Sequence, residues 1–211
     1  MRVLEVESPS GPARVSLHAV ASPRAWLLLG HGAGGGVQAP DLVAATEAAL
    51  AERVSVGLVE QPYRVAGRRS PAPAGQLDAA WVAVASHLRQ RQLRGLPLLV
   101  GGRSLGARVA CRTAGLTGAA AVVCLAFPLQ PPRRSGSAPP PSRLSELDAV
   151  EVPTLVVQGT RDPFGIPPGG GRRTVVEVAG DHGLKADLPA LSAAVKSWLA
   201  AFLARLDPPD T

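Results

Sequence analysis

The sequence predicts an α/β fold: a doubly wound, mostly parallel sheet flanked by helices, in one domain over residues 1–211. Short apolar runs of strand type alternate with longer stretches of helical periodicity, which is the pattern of βαβ units. Glycine or another turn residue follows several of these runs, as expected where a parallel strand meets a loop. A chain of 211 residues is long enough to bury a sizeable core.

The first half of the chain supplies four strands and two helices. Ala25–Leu29 is a short apolar run that ends at Gly30, as expected of a buried strand. Pro40 and Asp41 mark the start of the first helix, and Leu77 begins a second stretch of helical periodicity. The predicted elements are strands at Val3–Val6, Val15–Val20, Ala25–Leu29 and Val54–Val59, helices at Asp41–Arg53 and Leu77–Leu93, and a loop at Arg64–Gly75.

The second half continues the alternation and ends on an amphipathic helix. Ala119–Phe127 is almost wholly apolar, as expected of a strand buried on both faces. Pro128–Arg143 holds six prolines, so we expect a loop, and we find no insertion long enough for a cap domain. The predicted elements are strands at Leu98–Gly101, Ala119–Phe127, Thr154–Val157 and Thr174–Val178, and helices at Ser104–Thr113 and Pro189–Leu206.

The net charge of +6 and the pI of about 10.6 raise the question of a nucleic-acid partner. Of the 22 basic residues, 20 are Arg, and Ala, Gly and Pro are also abundant, which is typical of a GC-rich genome. Aromatic residues make up only 3%, so platforms on which bases could stack are scarce. We therefore expect no nucleic-acid partner.

Apolar runs and cysteines bear on the location of the protein. No run approaches the roughly 18 residues of a membrane helix, and the N-terminus lacks the apolar segment of a secretory signal. Cys111 and Cys124 lie in apolar stretches and lack metal-ligand spacing, so we expect buried, reduced thiols. We expect a cytoplasmic protein with no membrane partner, no metal and no cofactor.

A serine follows the strand at Leu98 in the segment Gly102-Arg103-Ser104-Leu105-Gly106. This Gly-x-Ser-x-Gly pattern between a strand and a helix predicts a nucleophile elbow, a sharp turn that lifts the serine hydroxyl clear of the sheet. Gly102 and Gly106 lack the Cβ atoms that would clash as strand and helix approach each other. An ordinary glycine-rich turn is the alternative, because glycine is common in this chain.

The segment 31–36 follows the strand at Ala25 and is rich in glycine. Acyl transfer develops a negative oxygen that backbone N–H groups stabilise. We predict that the N–H groups of Ala33 and Leu105 form this oxyanion hole, and that His31 fixes the loop by hydrogen bonds. A phosphate-binding loop is the alternative, although neither the Gly-x-Gly-x-x-Gly spacing nor a Gly-Lys-Ser/Thr sequence is present.

Two further polar residues follow the last two predicted strands. Asp162 comes after Thr154–Val157, where a carboxylate can orient an imidazole, although Asp-Pro is also ordinary turn chemistry. His182 comes after Thr174–Val178, where it can act as the general base, although such a histidine is also common in solvated loops. Ser104, Asp162 and His182 occur in the order expected of a Ser-Asp-His triad on this type of sheet.

These segments, together with Phe127-Pro128-Leu129, Gln158–Gly165 and Asp181–Lys185, resemble the α/β-hydrolase superfamily. Within it the sequence is similar to the small cap-less hydrolases related to testis-expressed protein 30, near the dienelactone-hydrolase-like group. The resemblance implies a catalytic triad of Ser104, Asp162 and His182. Dienelactone hydrolases use a cysteine nucleophile, whereas the elbow here carries a serine. The matching segments also supply the expected pocket residues, which are His31, Gly32, Gly34, Arg103, Phe127 and Phe164.

The expected activity is hydrolysis of a small carboxylic ester or thioester through an acyl-enzyme, with no cofactor. Arginines in loops at the predicted site edge favour an anionic substrate, unless they only reflect the chain-wide Arg bias. They are Arg64, Arg68, Arg69, Arg133, Arg134 and Arg161. A non-catalytic binding module of the same fold and a peptidase are the alternatives, and the oligomeric state stays open.

Overall fold

The computed structural model describes residues 2–131, 138 and 140–206. Eight strands within these residues form one sheet in the order β1-β2-β4-β3-β5-β6-β7-β8. The strands are β1 (Arg2–Val6), β2 (Ala13–His18), β3 (Ala25–Gly30), β4 (Val54–Glu60), β5 (Leu98–Arg103), β6 (Ala121–Leu125), β7 (Thr154–Gly159) and β8 (Arg173–Val178). The pairs β1–β2 and β2–β4 are antiparallel and all other pairs are parallel, so the predicted mostly parallel sheet is confirmed.

Helices cover both faces of the sheet. They are α1 (Pro40–Ala51), α2 (Pro62–Val65), α3 (Ala74–Arg91), α4 (Leu105–Thr117), α5 (Leu144–Asp148) and α6 (Leu188–Ala204). One core joins α1 and α6 to one face, and a second core joins α3 and α4 to the other. The strands between these layers, β3, β6 and β7, are buried along their whole length. This explains why their sequences are apolar without alternation, apart from the buried Thr154 and Gln158 of β7.

Several element boundaries differ from the sequence predictions. The predicted loop at Arg64–Gly75 overlaps the end of α2 and the start of α3, so Arg64 lies in a short helix. The strand predicted at Ala119–Phe127 is limited to Ala121–Leu125, because pairing with its neighbours ends there. The five-residue helix α5 was not predicted, since so short an apolar pattern carries no periodic signal.

The parallel strands all end at one edge of the sheet, which is where loops of this fold type build a site. The loops after β3, β5, β7 and β8 carry the residues singled out in the sequence. Within the described residues no cap domain interrupts the sheet. None of the helices in this part of the chain is long and apolar enough to span a membrane.

Candidate active site

Ser104 occupies a one-residue turn between β5, which ends at Arg103, and α4, which begins at Leu105. Its backbone has φ 51° and ψ −105°, a conformation that is strained for a residue with a Cβ atom. The Ser104 N–H donates to the carbonyl of Leu125 in β6 at 2.9 Å, which holds the turn against the sheet. The geometry is that of a nucleophile elbow.

Three glycines make this turn possible. A Cβ atom on Gly106 would lie 2.2 Å from the carbonyl oxygen of Gly30, and one on Gly102 would lie 2.4 Å from the same atom. Gly102 also has a φ of 155°, which side chains rarely allow. The sequence suggested contact between strand and helix as the reason for these glycines. The structure shows that the closest approach is to the backbone of the neighbouring strand β3 at Gly30.

The three residues predicted to act together lie in hydrogen-bonding contact. The Ser104 Oγ lies 2.9 Å from Nε2 of His182, and Nδ1 of His182 lies 2.8 Å from Oδ2 of Asp162. Because an ionised carboxylate only accepts hydrogen bonds, Nδ1 carries the proton and Nε2 is free to accept the Ser104 hydroxyl proton. This is the tautomer that a general base requires.

The carboxylate of Asp162 is held on both oxygens. Its Oδ1 accepts the N–H of Phe164 at 2.9 Å, and its Oδ2 accepts Nε2 of Gln158 at 2.8 Å in addition to His182. The Asp162 side chain is fully buried, so these donors replace the water that would otherwise solvate the charge. The carboxylate therefore has a fixed orientation towards the imidazole.

Gln158 is a site residue that the sequence reasoning did not single out. It is fully buried in β7, and its Nε2 also approaches the carbonyl oxygens of Phe127 at 3.1 Å and Gly165 at 2.9 Å. All three neighbours of this nitrogen are acceptors, which fixes the orientation of the amide. A buried amide in an otherwise apolar strand, four residues before Asp162, is the signal that could have identified it.

The loop of Asp162 and the loop of His182 are joined by their backbones. The N–H of Arg161 donates to the carbonyl of Gly180 at 2.9 Å, and that of Thr160 donates to Val178 at 2.9 Å. A Cβ atom on Gly159 would lie 2.4 Å from the carbonyl oxygen of Asp181, so glycine permits the close approach. The acid and the base therefore meet although the chain between them is short.

Ala33 and Leu105 present N–H groups beside the elbow. Leu105 is the first residue of α4, where the helix offers no acceptor for its N–H. Ala33 lies in a tight turn closed by the N–H of Gly35 and the carbonyl of Gly32 at 3.3 Å, and its carbonyl accepts the Tyr63 hydroxyl at 3.2 Å. No described residue accepts a hydrogen bond from either N–H group.

His31 does not line a pocket, which corrects that part of the sequence prediction. It is only 2% exposed, its Nδ1 donates to the carbonyl of Gly32 at 2.8 Å, and its Nε2 accepts the N–H of Gln61 at 3.2 Å. Burial lowers the pKa of the His31 imidazole, so the neutral form is favoured. His31 therefore holds the loop of Ala33 by hydrogen bonds, as the sequence also suggested.

The other expected pocket residues differ in position. Phe127 is fully buried and packs in the core on the α3 and α4 side of the sheet, so it does not line an open pocket. Gly32 is buried beside Arg103, and the Arg103 side chain forms an ion pair with Asp41. The ring of Phe164 lies 4.4 Å from the ring of His182, so Phe164 borders the site. Gly34 is exposed, and a Cβ atom there would meet no neighbour within 4 Å.

The arginines of the site edge are only partly described. Arg68, Arg69 and Arg161 are exposed, and Arg64 is half-buried in α2. Arg133 and Arg134 lie outside the described residues. Within the described chain, no three His, Cys, Asp or Glu side chains are grouped to hold a metal ion.

The mostly parallel sheet and the serine elbow at its edge define a protein of the α/β-hydrolase class. The chain belongs to the family described as "Alpha/beta hydrolase domain", whose model matches residues 23–185. The matched part contains the elbow, the loop of Asp162 and the loop of His182. No curated protein matches the chain.

Solved structures share the fold at low sequence identity. An α/β serine hydrolase without lid from Xanthomonas campestris is 19% identical with a TM-score of 0.73, over 100% of this chain and 96% of that one. Est1E from Butyrivibrio proteoclasticus is 13% identical with a TM-score of 0.76, over 97% and 100%. Dienelactone hydrolase from Anabaena variabilis is 16% identical with a TM-score of 0.73, over 97% and 96%.

Proposed function

We propose that this protein is a serine hydrolase that cleaves a carboxylic ester or thioester of a small substrate. The observation that carries the proposal is the continuous hydrogen-bonded series from Ser104 through His182 to Asp162, at 2.9 and 2.8 Å. The strained backbone at Ser104 presents the hydroxyl at the sheet edge. Because these three side chains are already in hydrogen-bonding contact, the geometry favours this proposal over a non-catalytic binding module.

The reaction would proceed in two acyl-transfer steps. The Ser104 Oγ attacks the substrate carbonyl while its proton moves to Nε2 of His182. The N–H groups of Ala33 and Leu105 stabilise the negative oxygen of the tetrahedral intermediate. The intermediate collapses and the alcohol or thiol leaves with the proton from His182. A water molecule, deprotonated by His182, then attacks the acyl-enzyme and releases the acid and free Ser104.

Asp162 and Gln158 support the base rather than touch the substrate. Asp162 keeps the proton of His182 on Nδ1 and stabilises the imidazolium that forms in each step. Gln158 donates to the same carboxylate oxygen as His182 and so fixes its direction. Each oxygen of this buried carboxylate accepts a hydrogen bond, so its orientation does not depend on water.

The first test is intact-mass analysis after treatment with a fluorophosphonate probe. We expect a single adduct on the wild-type protein and none on Ser104→Ala. Ser197→Ala, which removes an exposed hydroxyl on α6, is the matched control and should react as the wild type does. A folded wild-type protein without an adduct would contradict the proposal and favour the binding module.

The substrate class is the second part of the proposal. Est1E has been solved with ferulic acid bound, and another neighbour is a dienelactone hydrolase, so a panel of small esters and thioesters, including aromatic acyl groups, is the place to begin. The described residues contain no cap, which favours small or exposed acyl groups. We expect kcat/KM to separate these substrates, with Ser104→Ala as the blank.

We further propose that the substrate is anionic. Arg161 directly precedes Asp162, and the charge of Arg64 acts on buried His31 in the loop of Ala33. Neither arginine has a carboxylate within ion-pair distance among the described residues, so both would attract negative charge. Arg64→Gln/Arg161→Gln should lower kcat/KM for an anionic ester and leave a neutral ester of equal size unchanged. Arg2→Gln/Arg91→Gln, at exposed positions at the start of β1 and the end of α3, controls for the loss of two positive charges. Equal loss on both esters would contradict the proposal.

A further inference from the structure

A buried ion pair lies beside the elbow and takes no part in the proposed acyl-transfer steps. The side chain of Asp41 is fully buried at the start of α1, and its Oδ1 accepts the N–H of Leu42 at 3.0 Å. Its Oδ2 lies 2.8 Å from Nε of Arg103. Burial raises the pKa of the Asp41 carboxyl, and the positive charge of Arg103 opposes that rise. Each charge in this pair is stabilised by the other, because burial removes most of the water that would otherwise solvate it.

Arg103 touches three of the loops that build the site. It is itself part of the elbow, directly before Ser104. Its guanidinium also packs against the loop of Ala33, because a Cβ atom on Gly32 would lie 2.8 Å from its Nη1. Its Nη2 donates to the carbonyl of His182 at 2.9 Å. Asp41 thus fixes one side of the guanidinium while another side binds the backbone of the general base.

The loop of His182 has other hydrogen bonds, and those to its own peptide stay within the loop. The N–H of Arg161 donates to the carbonyl of Gly180, and the loop closes on itself through the N–H of Leu184 and the carbonyl of Asp181 at 3.1 Å. The peptide that follows His182 donates its N–H, on Gly183, to Oδ1 of Asp181 at 2.8 Å. The bond from Arg103 to the carbonyl of the same peptide differs from these contacts, because it ties the peptide to the strand that carries Ser104.

We propose that Arg103, anchored by Asp41, is a positioning residue that holds His182 at the distance from Ser104 that proton transfer requires. This inference rests on the proposed function. The imidazole must keep contact with Ser104 and with Asp162 at the same time, and a displacement of about 1 Å commonly costs about 100-fold in rate. A planar guanidinium suits the task because it can face a carboxylate and a carbonyl in two fixed directions.

The test removes the pair without leaving a single buried charge. The variant is Asp41→Asn/Arg103→Met, in which both charges disappear together and folding is favoured over either single change. The matched control is Arg108→Met/Glu146→Gln, which neutralises an ion pair between α4 and α5, with 2.9 Å between Arg108 Nε and Glu146 Oε2. Arg112, which also pairs with Glu146, keeps its contact with Asp78 in this control. Arg103→Lys, which retains a positive charge opposite Asp41, is a second variant for the case that the double variant does not fold.

Three measurements are made on each protein. They are the rate constant for phosphonylation of Ser104 by the fluorophosphonate, kcat and KM for a p-nitrophenyl ester, and the low-field proton resonance of the His182 Nδ1–H. We expect phosphonylation and kcat to fall about 30- to 100-fold in the double variant, with KM within about threefold, because only the reacting geometry changes. We expect the resonance to broaden or vanish, whereas the control should stay within about twofold of wild type in both rates.

The outcomes separate this inference from the proposed function. Equal rates and an unchanged resonance in the variant and the control would overturn the positioning role of Arg103. If Arg103→Lys replaces the double variant, its rates and resonance are compared with those of the same control, and equality would again overturn the positioning role. A wild-type protein that does not react with the probe would contradict the proposed function, and the resonance would still report whether Arg103 holds His182.

Discussion

Gln158→Glu is the substitution that tests the buried network behind the triad most directly. The change preserves shape and replaces the Nε2 donor with an acceptor or an O–H group. That atom faces the carbonyls of Phe127 and Gly165 at 3.1 and 2.9 Å and the carboxylate of Asp162 at 2.8 Å. An ionised carboxylate introduced there would therefore meet three acceptors at once, so only the protonated acid fits the site.

The size of the effect follows from the proton that the folded variant must retain. An unfolded glutamate has a pKa of about 4.3, and keeping the buried acid protonated at a pH of about 7.5 costs up to about 4 kcal/mol. Because the folded-state pKa is raised, stability is fully present below the unfolded pKa and is lost as pH rises towards the folded pKa. The variant should approach wild-type stability in mild acid and weaken steadily with increasing pH.

The assay is urea unfolding at several pH values between about 5 and 8, with the free energy of unfolding compared between variant and wild type. Gln90→Glu, an identical change at an exposed position of α3, is the control and should show no such slope. A Gln158→Glu protein as stable as wild type at a pH of about 7.5 would refute the reasoning, because the site would then have to contain unrecognised donors.

Three further predictions concern the elbow and the loop of Ala33. Gly106→Ala should destabilise the protein by about 2 kcal/mol or more in urea unfolding and slow labelling of the serine, because its Cβ would lie 2.2 Å from the Gly30 oxygen. Gly115→Ala, in open space on the same helix, should be neutral or slightly stabilising. In wild type, the lowered pKa of His31 makes stability fall as pH drops below about 6.5, since the unfolded chain takes up the proton more readily. His31→Asn should reduce that slope in urea titrations, and an unchanged slope would contradict the assignment. Tyr63→Phe, which removes the hydrogen bond to the loop of Ala33, should lower kcat by about 2- to 10-fold with little change in melting temperature.

The parts of the fold that the sequence predicted well are those with a strong local signal. β3 and β6 are continuous apolar segments, and β7 has an apolar centre, because helices cover both faces of the sheet. Such segments are recognisable without a structure. Their order along the chain also placed Ser104, Asp162 and His182 at one edge, since parallel strands all end on the same side. Short α5 and the limits of β6 escaped prediction because strand pairing and packing determine them, and neither is visible in a local pattern.

The roles of individual side chains near the site depended on distant contacts. His31 and Phe127 lie in segments that resemble the α/β-hydrolase superfamily, and both were expected to line the pocket. His31 instead hydrogen-bonds the backbone of its own loop, and Phe127 packs in the core. Arg103 was expected to meet the substrate, and it instead pairs with Asp41, which is 62 positions earlier in the chain. Sequence proximity to Ser104 carried no information about where these side chains point.

The sequence by itself determined the α/β class, the position of the elbow and the order of the three residues proposed to react, because periodicity, glycine spacing and strand order are local properties. Only the tertiary structure decided that Ser104, His182 and Asp162 touch, that Gln158 orients the acid, and that Arg103 reaches the carbonyl of His182. All of these contacts except the local one between Gln158 and Asp162 join the ends of separate strands, so they exist only once the sheet has brought the strand ends together.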